Sequence, residues 1–176
     1  MNKTRADALP ASATGKQNPD GTLFSVAQGI VGTSGAASSA GASDTFNVRY
    51  QTTSGDGVMN CLGESNPLGA AGPATWVNSF AVNANNELTC AVNGSVPVAL
   101  VSNIAQINLL YGVDTAGNGN TDTYLAANAI TSANLWNSVR SAKLIVKFAN
   151  LMDSSSNATV VLPQPWIQTI SLMNNS

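Results

Sequence analysis

Short runs of alternating apolar and polar residues, each closed by Gly, Asn, Asp or Pro, recur from Phe46 to Met173. Successive side chains of a strand point to opposite faces, so this period marks strands with one buried face. Residues 46–51 read as such a strand, with Phe46, Val48 and Tyr50 inward. Segments 76–82 and 87–92 flank Asn83-Ala84-Asn85-Asn86, a run of turn formers that tolerates positive φ, and together predict a hairpin. Asn93-Gly94-Ser95 predicts the next turn, followed by strands at 97–101 and 104–113, the second with Ile107, Leu109 and Tyr111 on one face. Residues 142–149 read as a central strand, with Leu144, Val146 and Phe148 opposite Lys143, Ile145 and Lys147. Shorter candidates stand at 58–62, 160–162 and 166–173, and residues 23–31 fit either a strand or a helical turn. One helix is predicted from about 131 to 139, with Thr131 or Ser132 as cap and Leu135, Trp136 and Val139 on its apolar face. The fold class is therefore α+β and mostly β, built on an antiparallel sheet with room for a second, smaller one.

A length of 176 residues fits one domain. Residues 1–43 form a polar lead-in that ends in a Gly/Ala/Ser-rich stretch, and 44–176 hold the patterned, globular part.

Charge limits what this part can do. Only 9% of residues are charged, against roughly 25% in an average soluble chain; Ser, Thr, Asn, Gly and Ala stand in their place, as in extracellular β-rich proteins. Seven Lys and Arg and a net charge of −2 argue against a broad nucleic-acid surface, which needs many phosphate contacts. The chain has no His, so neither a Ser-His-Asp nor a Cys-His site can be assembled. Of the nine acidic residues, no spacing singles out a hydrolytic pair. No catalytic residue is expected.

Cys61 and Cys90 are the two cysteines. An even count in a chain of exported character reads as one disulfide, closing about 30 residues and contributing roughly 3 kcal/mol. The alternative is two separate buried thiols.

Several segments resemble the minor pilins of the PilW type from the type IV pilus machine and, more distantly, the minor pseudopilins of type II secretion. They are Tyr111-Gly112-Val113-Asp114, Thr123-Tyr124-Leu125 and Trp136-Asn137-Ser138-Val139-Arg140-Ser141-Ala142-Lys143-Leu144. Val48-Arg49-Tyr50-Gln51, Asn60-Cys61-Leu62-Gly63, Asn78-Ser79-Phe80 and Glu87-Leu88-Thr89-Cys90 join them, and the end from Thr169 to Asn175 resembles the closing strand without its usual Arg. The resemblance runs over about 44–175 and lies in the order of the pieces. It implies a pilin-like head and a non-catalytic subunit that primes pilus assembly, sits at the tip and contacts other minor pilins. It also implies export to the periplasm and cell surface. The family opens with a prepilin peptide and a long apolar helix; neither stands in these residues. The expectation is a soluble portion whose helical stem, the inner-membrane anchor of the full-length protein, lies outside it. The competing reading is a secreted adhesive or sugar-binding β domain.

One stretch has the look of a metal loop. Asp114, Asn118, Asn120 and Asp122 fall at the first, fifth, seventh and ninth places of a calcium-binding loop, with Gly119 at the sixth. Ala116 at the third place and Leu125 at the twelfth are wrong for it, so calcium is expected to bind weakly or not at all, and no other cofactor is expected. Arg140, Lys143 and Lys147 are the densest basic group and read as a solvated face. Trp76, Trp136 and Trp166 suit core packing better than a sugar platform.

Overall fold

The computed structural model describes residues 7, 9–11, 24–35, 42–149 and 164–172. The predicted strand at 160–162 lies outside them. Among the described residues the chain folds mostly as β structure, in two antiparallel sheets with a short helix. The first sheet takes β1 (Ile30–Thr33), β2 (Thr45–Thr52), β3 (Ala74–Val82), β4 (Glu87–Val92) and β5 (Val98–Ser102) in that order. The second has the order β7 (Thr123–Leu125), β6 (Ile104–Val113), β8 (Val139–Phe148) and β9 (Trp166–Ser171). Helix α1 (Ala127–Ala133) and a 3₁₀ turn at Trp136–Ser138 connect β7 to β8.

The two sheets share one apolar interior. Leu109, Tyr111 and Val113 of β6, Val139 and Ala142 of β8, and Ala127 and Ile130 of α1 are buried with Ile30 of β1, and Phe46 and Val48 of β2 pack against them. Tyr111 lies edge-on to Trp136, ring centroids 4.9 Å apart, a favoured geometry for aromatic pairs. Its hydroxyl is buried without a hydrogen-bond partner among the described residues, and burial, with Asp44 nearby, pushes the phenol well up. A side chain at Gly32 would collide with that hydroxyl and with the Thr45 carbonyl, so this stretch of β1 admits glycine alone.

Residues 42–44 stitch the sheets together. The Asp44 amide donates to the Ile107 carbonyl at 2.9 Å, and its carboxylate accepts from the Leu109 amide at 2.8 Å. Ser43 Oγ accepts from the Ile107 amide at 2.7 Å. Two side chains thus extend the ladder of β6 where β7 has ended, and satisfy backbone groups that burial would otherwise leave at a cost.

Three expectations need correction. The helix lies earlier than predicted and is shorter. Ala126, extended and without a side-chain bond, precedes it, and Asn134 closes it in the left-handed region at φ 55°. Thr131 and Ser132 are inside it and Val139 opens β8, while Leu135 and Trp136 still reach the core from the irregular turn. Residues 58–62 form no strand; Met59 makes a single bridge to Ser65. In β2 the polar side is the more deeply buried. Asn47 is 1% and Arg49 6% exposed, whereas Phe46, Val48 and Tyr50 are half-buried.

Arg49 explains part of that inversion. Its guanidinium donates to the carbonyls of Leu9, Pro10, Ser25 and Gln28 and lies 4.6 Å from the centre of the Phe24 ring. Residues 9–10 and 24–28 therefore cover the outer side of β2. A buried cation is tolerable because its donors are matched.

Candidate functional site

The β6–β7 connection carries the calcium-like pattern. The Asp114 carboxylate accepts from the amides of Asn118 at 3.0 Å and Gly119 at 2.8 Å, and from Arg140, whose Nη2 is 3.3 Å away. The side chain of Asp114 has no exposed surface. Desolvation acts to raise its pKa, but the bonds from Gly119, Asn118, Arg140 and Gly117 outweigh it and hold the carboxyl below the usual range. Asp122 Oδ2 accepts from the amide of Ala116 at 2.9 Å and from the hydroxyl and amide of Thr115, which keep that carboxyl low too. Asn118 Oδ1 takes the Asn120 amide at 2.9 Å, and Asn120 is exposed.

Asp114, Asn118 and Asp122 thus turn oxygens on the loop's own N–H groups. These oxygens are the atoms a calcium ion would need. Among the described residues, no three of His, Cys, Asp and Glu cluster as a metal centre. The loop is held by anions that bind amides.

A second polar construction fills the β2–β3 connection, residues 53–73. Asn60 Oδ1 accepts from the amides of Leu62 at 2.9 Å and Glu64 at 3.1 Å, while its Nδ2 donates to Glu64. Asn66 donates to the Gly72 carbonyl at 3.0 Å. Tyr50 Oη donates to the Met59 carbonyl at 2.7 Å, and Asn78 joins Tyr50 Oη to the Cys61 amide. Cys61 is bonded to Cys90 of β4, with their Cα atoms 6.5 Å apart, and Cys90 is fully buried. The disulfide fastens this long loop to the core side of the first sheet. Asn60, Asn66 and Asn78 carry its geometry; the resemblance marks the segments of Asn60 and Asn78 but no role for them, and nothing in the sequence marks Asn66.

The basic group divides. Arg140 is paired with Asp114, Lys143 stands 4.5 Å over the Tyr124 ring, and Lys147 is exposed. The tryptophans sit in three environments. Trp136 packs on the core, Trp76 is half-buried in β3, and Trp166 is 48% exposed in β9. The core expectation for Trp166 is therefore wrong: β9 is an edge strand whose six residues are all exposed.

Fold and polar network together define a disulfide-braced, two-sheet β module whose carboxylates and amides are spent on shaping connections. Residues 74–166 match the family described as Type IV Pilus-assembly protein W, PilW, and the chain belongs to that family. The matched stretch runs from the start of β3 to the start of β9 and includes Cys90 and the Asp114 loop. Neither a curated protein nor a solved structure matches the chain significantly. Membership makes this a protein of type IV pilus assembly and of the cell envelope. Among the described residues, no helix is long and apolar enough to cross a membrane.

Proposed function

We propose that the chain is the head of a minor pilin, a non-catalytic subunit that primes pilus assembly and stays at the tip, and so serves twitching motility. The family match over residues 74–166 carries this reading. Two chemical observations support the non-catalytic part. The sequence lacks His, and Asp114 and Asp122, the carboxylates the sequence pattern marks out, are engaged by backbone amides. Imidazoles and carboxylates are the commonest general bases, and they act within reach of a substrate proton. The partners in this reading are other minor pilins and the assembly machinery, met through the surface of one head formed by both sheets.

The test is deletion of the gene in its host, with pili counted by electron microscopy and the protein located by gold label. Loss of pili, restoration by the intact gene and label at pilus ends are expected. Normal piliation and twitching in the deletion strain would overturn the reading.

A further inference from the structure

Of all edges in the two sheets, β5 is the one left open with both flanks described. Its residues Val98, Ala99, Leu100, Val101 and Ser102 are all exposed, Val98 by 47%, Leu100 by 40% and Val101 by 50%, and Val96 just before by 83%. Beyond β4 no strand pairs with it, and no backbone hydrogen bond reaches its outer side among the described residues. Such a row of free N–H and C=O groups is a template for another strand. Proteins guard these rows with charge, yet residues 95–106 contain no charged side chain. Two milder devices remain. Pro97 precedes the strand, and Leu100 is a bulge residue, since Leu88 pairs with Val101 and Thr89 with Ala99. A bulge adds local twist, which a flat, promiscuous partner would not follow and a fitted one would. The other edges differ: β1 is buried beside α1, β7 is three residues long, and β9, though exposed, is described only over residues 164–172.

We propose that β5 is a docking edge that takes, by strand addition, an uncharged edge strand of a neighbouring pilus-assembly subunit whose surroundings are basic. The inference rests on the assembly reading above. Strand addition draws affinity from main-chain hydrogen bonds and specificity from alternate side chains, here Val98, Leu100 and Val101. Charge decides between a different subunit and a second copy. Of the described charges in residues 24–102, Asp56 and Glu64 are exposed and Glu87 is half-buried, while Asp44 and the one cation, Arg49, are buried. Two copies joined at β5 would bring two acidic surfaces together, whereas a basic neighbour is attracted.

The experiment mixes the purified protein with the purified soluble head of each pilus subunit encoded beside its gene, and follows amide exchange and affinity. Slowed exchange at residues 98–102 with one such head is expected. Leu100→Lys and Val98→Lys, both at exposed positions, should weaken that binding about tenfold or more while circular dichroism and Tm stay unchanged. Ile167→Lys on β9 should not weaken it. Should one Lys variant misfold, the other carries the test. Binding without protection at β5, or binding indifferent to both variants, overturns this inference and leaves the assembly reading standing. Self-association through β5 overturns the choice of partner. Failure of every head to bind overturns both.

Discussion

Two connections of the molecule, one in each sheet, solve one problem by different chemistry. Residues 53–73 are fixed by neutral amide side chains and a covalent bond. Residues 114–122 are fixed by two carboxylates and a partly exposed Arg140. Carboxamides hold their hydrogen bonds at any ordinary pH, while carboxylates hold theirs only when ionised. Most bonds of the first connection therefore involve groups that carry no titrating proton, the Asp56 and Glu64 carboxylates being the exceptions, whereas the second rests on carboxylates throughout.

The comparison breaks most strongly at the covalent bond. Replacing both cysteines by Ala should cost about 3 kcal/mol in urea unfolding, with the loss traced to exchange in residues 53–73. An unchanged midpoint would mean the side-chain bonds alone hold that connection. Next in size, Asn60→Ala strips two partly buried amides of their acceptor and should cost about 1 kcal/mol at pH 7 in urea unfolding.

In the second connection, Asp114→Asn should lower Tm at pH 7 by less than the cysteine change and flatten the response to acid. The sign follows from depressed carboxyls. Asp114 and Asp122, with Asp56, titrate lower when folded, so their stabilisation is complete above the unfolded carboxylate range of about 4. It fades as pH falls through the folded values. Amide resonances of Thr115, Ala116, Asn118 and Gly119 should move together only once pH has fallen below the ordinary carboxylate range of about 4, because the carboxyls that accept from them are held low. The smallest effect is expected from calcium. Titration to millimolar concentration should leave the loop resonances in place and yield no heat with a dissociation constant below about a micromolar; a saturable shift at Asp114 and Asp122 would show that the carboxylates release their amides.

Local signals explain which parts could be read from the chain. The β3–β4 hairpin and β6 were visible because alternation, turn residues and strand length agree there. Asn86 and Asn93 adopt positive φ of 58° and 50° at the predicted turns. The candidate loop stands where the sequence placed it, and its carboxylates and Asn bond backbone amides, a role such offsets also serve. Elsewhere distant groups decide. Arg49 sits on the polar side of an alternating strand, and the carbonyls of Leu9, Pro10, Ser25 and Gln28 help make that side an interior. Nothing near Asp44 in sequence announces its bond to Leu109, 65 residues away. The helix was displaced because Leu135 and Trp136 face the core from a 3₁₀ turn, which mimics an amphipathic period.

The Cys61–Cys90 bond also governs how far the chain can lengthen under tension. A pull along the backbone enters at Cys61 and leaves at Cys90 through the sulfurs. The 29-residue separation is bypassed, withholding on the order of 100 Å of contour at about 3.4 Å per residue. All of β3 lies inside that bypass, as does β4 up to Cys90. The hairpin is thus spared direct load, and its pairing with β2 feels force only through its neighbours. In single-molecule pulling, reduction of the bond should add that hidden length to the final extension.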